Sequence, residues 1–286
     1  MPEPCFRWGL YEKALPRTLT WEERLAASAR AGYQFVEISI DETEERLARL
    51  SWPPSKRREL HDALRAGHAS IDTLCLSGHR RFPLGSPSPV VRNQALDIMR
   101  RAIDFAAEFG IRIVQVAGYD VFYEESTEKT RESYREGILQ AAAWARQTCV
   151  MLALENVDCA LVDSVEKALS LVCAANTPWF QVYPDIGNLC ALQKNMCREL
   201  LLGGSHIVGL HLKDTRVGQL RGVPLGGGIV DFEAAFRTLA ELRYRGPLVV
   251  EMWNEESPDA ECAAAAARRL LGDMLAKVLP AGRFLA

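Results

Sequence analysis

The chain predicts an α/β fold of the (β/α)8 barrel type, the TIM barrel, as a single domain spanning residues 1–286. Three observations carry this. Eight short apolar runs alternate with eight helical segments along the 286 residues. The runs are nearly continuous in apolar residues, as parallel strands covered on both faces are. Four of them, MLALE, FQVYPD, IVGLH and PLVVE, end on Glu155, Asp185, His211 and Glu251. Chemically active residues at the carboxyl ends of barrel strands read as site residues.

The elements follow in order. FRWGLYE is the first strand and TWEERLAASARAGY the first helix, with Thr20 and Glu23 spaced as a capping box. FVEISI and the helical RRELHDALRAGH come next, then IDTLCLS and the long helix VRNQALDIMRRAIDFAAEFG. Gly32, Gly67 and Gly110 stand where helices close before the next strand. IRIVQVAG precedes TEKTRESYREGILQAAAWARQ, VMLALEN precedes SVEKALSLVCAA, and FQVYPD precedes a helix around MCRELLL. IVGLHLKD with DFEAAFRTLAELRY, and PLVVEMW with ECAAAAARRLLGDMLAKVL, complete eight pairs. Prolines in the proposed strands stand only at strand ends, Pro184 and Pro247. An open doubly wound sheet is the rival fold. It carries a Gly-rich fingerprint after its first strand, and Tyr11-Glu12-Lys13-Ala14 bears no likeness to one.

Composition narrows the function classes. Hydrophobic residues make up 48% and charged residues 25%, with a net charge of -3. That balance gives no case for nucleic-acid or membrane binding, and no apolar run approaches a membrane span. The opening MPEPCFRWGLYEKALP lacks the apolar centre of a signal peptide, so a cytoplasmic location is expected. None of the eight cysteines forms a C-x-x-C pair, and small buried hydrophobes in a reducing compartment are expected of them. Of five histidines, His61 and His68 fall on or beside a charged helix and His206 precedes an apolar run, leaving His79 and His211 for chemistry.

Glu155, Asp185, His211 and Glu251 fall on the fifth to eighth strands, which are neighbours in a closed barrel. Carboxylates with one imidazole suit one divalent ion, Mn, Mg, Co or Zn, and the ligand types do not choose among them. A ring of salt bridges at the rim is the bland alternative.

This pattern resembles the xylose-isomerase-like sugar isomerase and epimerase barrels, in which Glu, Asp, His and Glu from four successive strands hold a divalent ion. The stretches LYEKALP, CLSGHRRFPLGS, AGYDV, PDIGN, HLKDT and VEMWNE resemble those of the L-ribulose-5-phosphate 3-epimerase family, which acts on L-xylulose 5-phosphate. Asn156 departs from that pattern, where an apolar residue is expected. The resemblance implies a sugar-phosphate substrate, a place in L-ascorbate catabolism, and Glu155 and Glu251 as the acid and base on the two faces of C3. Asp185 and His211 then mainly hold the ion. Barrels of this kind often dimerise, so a homodimer is allowed, although no residue specifies one.

The phosphate handle is expected on the basic loop after the third strand, at His79, Arg80 and Arg81, with Lys13 near in barrel order. Arginine binds phosphate in bidentate fashion. Gly226-Gly227-Gly228 is the competing cradle, since barrel phosphate sites commonly follow strands seven and eight; otherwise it serves a turn before the cap Asp231. Asn188 is a candidate for a sugar hydroxyl. Lys213, two residues past His211, points the same way by strand alternation and either meets substrate or pairs with Asp185 or Asp214. Trp253, Tyr119, Asp120, Asp158 and Arg216 are lesser candidates. Rival functions are an aldose–ketose isomerase acting on a hexulose 6-phosphate, a barrel endonuclease, which needs a His-rich cluster and a basic groove, and a non-catalytic sensor.

Overall fold

A computed structural model describes residues 6–278. Eight parallel strands form the barrel wall: β1 (Arg7–Tyr11), β2 (Phe35–Ile40), β3 (Ser70–Leu76), β4 (Ile113–Ala117), β5 (Met151–Glu155), β6 (Phe180–Val182), β7 (Leu210–Leu212) and β10 (Pro247–Val250). They run in the order β6-β5-β4-β3-β2-β1-β10-β7. The parallel bridges Val182↔Ile207 and Asp185↔His211 join the two ends and close the wall. The helices are α1 (Trp21–Arg30), α2 (Glu44–Leu47), α3 (Pro54–Arg65), α4 (Pro89–Phe109), α5 (Glu128–Thr148), α6 (Val165–Ala175), α7 (Ile186–Ala191), α8 (Met196–Gly203), α9 (Phe232–Glu241) and α10 (Ala260–Val278). None is long and apolar enough to cross a membrane.

The expected local signals operate. Thr20 and Glu23 cap α1 reciprocally, and Gly110 closes α4 in the left-handed region at φ 70°. The expected seventh strand divides. Its barrel part stops at Leu212, and β8 (Asp214–Arg216) turns at Gly218 into β9 (Gln219–Val223), an antiparallel hairpin outside the barrel wall. The cysteines also differ from expectation. Of those described only Cys75 is buried, while Cys149, Cys173 and Cys262 are exposed; Cys5 lies outside the described residues. The run SLVCAA belongs to amphipathic α6, whose turn places Cys173 on the outer face.

Two apolar layers hold the wall. Outward strand residues such as Leu10, Val36, Leu74, Val114, Leu152 and Leu248 pack under the helices. Inside, Phe35, Ile113, Ala153, Tyr183 and Val249 cluster with Tyr11 and Cys75. The large rings fit because their neighbours lack side chains. A Cβ on Gly9 would stand 2.2 Å from Phe35, and one on Gly209 would stand 2.1 Å from Tyr183.

A buried ionic knot fastens the loops after β1, β2 and β10. Glu12 is fully buried and accepts from Arg46 at 3.1 Å, Arg49 at 2.7 Å and the Ser39 amide at 2.7 Å. Arg46 continues to Asp41 at 3.1 Å and to Glu255, and Lys13 pairs with Asp41 at 2.5 Å. Burial alone would raise the Glu12 carboxyl, but Arg49, Arg24 and Arg46 outweigh it and hold the pKa at about 2.

The ordinary value for this carboxyl is 4.5. A depressed folded value stabilises above the ordinary one and is lost as pH falls towards the folded one. The difference corresponds to about 3 kcal/mol. Urea midpoints are therefore expected to drop between about pH 5 and pH 2, with Glu12→Gln both less stable near neutrality and less sensitive to acid in that window. A variant with the wild-type acid slope would remove Glu12 from this account.

Candidate active site

Strand alternation builds the site one layer above the internal apolar cluster. On each strand the residue two past an apolar member faces the same interior. Phe35 is followed so by Glu37, Ile113 by Gln115, Ala153 by Glu155, Tyr183 by Asp185, Gly209 by His211 and Val249 by Glu251. Carboxylate, amide and imidazole groups therefore collect at the carboxyl end of the barrel.

Glu155, Asp185, His211 and Glu251 are all buried, and one ligand atom from each lies within 4.8 Å of the others. The backbone fixes them. Asp185 and His211 are themselves the bridge closing β6 onto β7, and the His211 amide donates to the Pro184 carbonyl at 2.9 Å. The Glu251 amide donates to Leu212 at 3.0 Å, and the Gly118 amide to the Glu155 carbonyl at 3.0 Å. Asp185 also caps α7: its Oδ1 accepts from the Asn188 amide at 2.9 Å, leaving Oδ2 for the centre. Asn156 binds the Asp185 backbone twice, Nδ2 to the carbonyl at 3.0 Å and the amide to Oδ1 at 2.9 Å. An apolar residue there would leave both backbone groups unpaired.

Side chains outside the ligand set aim the ligands. His211 Nε2 donates to Glu37 at 2.6 Å, which leaves Nδ1 facing Glu155 at 2.9 Å. Tyr183 donates to the other Glu37 oxygen at 3.1 Å. Gln115 donates to Glu155 Oε2 at 2.5 Å. Lys213 Nζ lies 2.6 Å from Asp185 Oδ2 and 3.1 Å from Glu251 Oε2. Both oxygens are buried, and the Lys213 ammonium is the cation the chain sets against them.

The electrostatics are those of concentrated negative charge. Burial opposes charge on His211, yet Glu37, Glu251 and Glu155 push its pKa well above the ordinary value. Burial raises Asp185 to about 7 against the pull of Lys213. At Glu251 the balance reverses: burial acts upward, but Lys213 and His211 hold it at about 2. Three buried carboxylates and an imidazole nitrogen offer ligand atoms within 4.8 Å of one another, and that donor set fits a hard or borderline divalent cation. Glu37 supplies the carboxylate–histidine support usual behind such a ligand.

Above the ligands opens a cavity of about 540 Å³. Of the residues expected from the sequence, Lys13, Arg80, Asn188 and Lys213 line it, as do Tyr119, Asp158 and Trp253. His79 and Arg81 do not. His79 is buried against the Ala95 carbonyl at 3.1 Å, and burial lowers its pKa to about 4. Arg81 points outward to Glu44 at 2.5 Å. The Asn188 amide group is committed to the Asn156 carbonyl at 2.9 Å. Asp120 is buried among Ser126 and Thr130, and exposed Arg216 bonds the Gly227 carbonyl at 2.9 Å.

The Gly226–Gly228 turn already holds an anion of the chain itself. The amides of Gly226 and Gly228 each donate to Asp214 Oδ2 at 2.9 Å, and Val230 donates to Oδ1 at 3.2 Å. Sequence reasoning missed Glu37, Gln115 and Arg221. For the first two a signal existed, since each is a lone polar residue of interior parity within an apolar strand.

A family model described as xylose isomerase-like TIM barrel matches residues 25–274. The L-ribulose-5-phosphate 3-epimerase UlaE of Escherichia coli is 46% identical over 269 residues, covering 94% of this chain and 95% of that protein. Among solved structures, an L-ribulose 3-epimerase gives a TM-score of 0.77 at 18% identity, covering 96% of this chain and 95% of the other. The D-allulose 3-epimerase from Methylomonas sp. in complex with D-allulose gives 0.76 at 17% identity, covering 94% and 97%. At such identities these structures attest the fold.

Replacing Glu37 with Gln keeps its size and removes the charge that orients His211. Divalent-ion affinity, followed by titration calorimetry, is expected to fall roughly 10- to 100-fold, and His211→Ala is expected to lower metal content outright. Wild-type affinity in the Glu37 variant would show that His211 is aimed by something else.

Proposed function

The chain belongs to the L-ribulose-5-phosphate 3-epimerase family of the xylose isomerase-like TIM barrels, and we propose on that footing that it inverts C3 of L-ribulose 5-phosphate and L-xylulose 5-phosphate. It is an isomerase of the epimerase kind. The observation that carries the assignment of roles is the placing of two buried carboxylates, Glu155 and Glu251, within one four-ligand centre.

The proton on C3 lies beside the C2 carbonyl and is too weakly acidic to leave unaided. A divalent ion held by Glu155, Asp185, His211 and Glu251 would stabilise the charge that develops on the sugar oxygens as that proton departs. Inversion further requires a base on one face of C3 and an acid on the other. One glutamate takes the proton as the C3–H bond breaks, and the other gives its proton to the opposite face. Each turnover leaves one carboxylate protonated and the other ionised in the opposite sense, and proton exchange with solvent between turnovers restores the starting pair. Gln115, bonded to Glu155 Oε2, fixes one of the pair. Lys213, beside Glu251 Oε2, favours the ionised form of the other. Tyr11 and Trp253 meet edge to face at 6.1 Å on the cavity wall and shield the reacting carbon from water. Asp185 and His211 hold rather than react.

A cytoplasmic place in L-ascorbate catabolism, with one divalent ion drawn from Mn, Zn, Co or Mg, is part of the same proposal. Proton NMR in heavy water is the direct test. Incubation with L-ribulose 5-phosphate is expected to place deuterium at C3. Label at C1 or C2 would instead identify an aldose–ketose isomerase.

Glu155→Gln and Glu251→Gln are each expected to lower kcat by roughly 10²–10⁴-fold, the usual cost of losing general acid–base action. Metal content is measured alongside. Either variant turning over at more than about a tenth of the wild-type rate with its metal bound would take that residue out of proton transfer.

A further inference from the structure

The candidate metal ligands crowd acid into a buried space. Glu37, Glu155, Asp185 and Glu251 are all buried around His211. Among the described residues, Lys213 is the only lysine or arginine within ion-pair distance of any of the four. Its own side chain is buried as well, so the ammonium has exchanged water for these carboxylates. Asp185 Oδ1 is held by the Asn188 amide at 2.9 Å. The oxygen left for a metal ion, Oδ2, is the one Lys213 meets at 2.6 Å. The backbone makes room for this contact. The lysine stem crosses Gly187 of α7, where a Cβ would stand 2.5 Å from Lys213 Cγ. The ammonium then lies 5.5 Å from the centroid of the Trp253 ring, which also carries Arg221 at 5.2 Å.

We propose that Lys213 is an internal counter-ion that competes with the divalent ion for Asp185 and Glu251: it holds the acidic cluster together in the metal-free chain, and the ion binds by taking its place on Asp185 Oδ2. The inference rests on the metal-centre reading above and adds to it the residue that sets metal affinity. Buried carboxylates left without a compensating charge are strongly destabilising, and Lys213 supplies that charge when no ion does. An ammonium and a divalent cation on one carboxylate oxygen repel each other in a site of low dielectric, so each weakens the other's hold. The apparent metal affinity is then reduced by the fraction of chains in which the oxygen is free. A lysine that only touched substrate would leave metal binding as it is.

The test compares the full chain with Lys213→Met, which keeps the length of the side chain and removes the charge. Both are stripped with a chelator. Titration calorimetry measures manganese binding, and thermal unfolding is followed with and without the ion. Lys213→Met is expected to bind manganese roughly tenfold or more tightly than the wild type and to melt below it when stripped, a deficit that manganese removes. A variant that folds only with manganese supports the proposal equally. Manganese affinity equal to or weaker than that of the wild type, or an unchanged melting point when stripped, overturns the counter-ion role and leaves the metal centre standing. If Lys213→Met folds in neither state, NMR of wild-type chain labelled with 15N at lysine Nζ decides. The Lys213 signal, assigned by its loss in Lys213→Arg, is expected to shift when magnesium is added, and a signal that stays in place overturns the proposal. Failure of wild type and variant alike to bind manganese, zinc, cobalt or magnesium rejects the metal centre itself, and the counter-ion with it.

Discussion

The hydrogen bond between Glu37 and His211 spans the barrel interior and joins residues from β2 and β7, 174 positions apart in the chain. Much of the centre depends on it. It fixes which imidazole nitrogen faces the carboxylates, and it places a third acidic group beside a histidine that the ligand set already surrounds. Neither group has access to water, so neither can be left alone: a buried charge that loses its partner costs several kcal/mol. Tyr183 and Gln115 extend the same logic, donating to Glu37 and Glu155 respectively. The metal ligands are thus the visible face of a connected polar layer on an apolar floor of Phe35, Ile113, Tyr183 and Val249.

The parts of this molecule legible in the sequence are those governed by local rules. Period-two alternation and the strand-end position singled out Glu155, Asp185, His211 and Glu251, because each follows its own apolar run. Glu37 follows the same parity, yet its meaning comes from a partner far along the chain, and FVEISI alone does not name that partner. The basic tripeptide His79-Arg80-Arg81 shows the opposite failure. Three adjacent basic residue types suggest one anion site, but Gly78–Arg80 is a 3-10 turn, in which successive side chains point about 120° apart. One goes to the core, one to the cavity and one to solvent. The apolar run IVGLHLKD concealed a further boundary. Nothing in its composition marks the change at Lys213 from barrel strand to hairpin, and Arg221 was therefore invisible as a site residue.

Asp214 shows how a chain can close one binding option while opening another. Its carboxylate occupies the amide nest of Gly226, Gly228 and Val230, where a Cβ on Gly228 would stand only 2.1 Å from Oδ1. Backbone donors that hold a ligand phosphate in many barrels here tie the base of the hairpin to the start of β8.

The hairpin pairs only with itself: β8 and β9 form their own two-stranded sheet, and no barrel strand lends them a ladder. Substitutions at the exposed Arg216–Gln219 tip therefore lie outside the hydrogen-bond ladder of the wall that aligns the four ligands, whereas the buried Thr215 still bonds the Gly187 carbonyl of α7 at 2.9 Å. The molecule is in this sense modular within one fold. The four-ligand centre is embedded in closure of the barrel, whereas the exposed part of the segment over its mouth stands outside that closure. Divergence among barrels of this type towards bare or substituted sugars would then be cheapest in a dozen surface residues, with the inherited chemistry beneath them left intact.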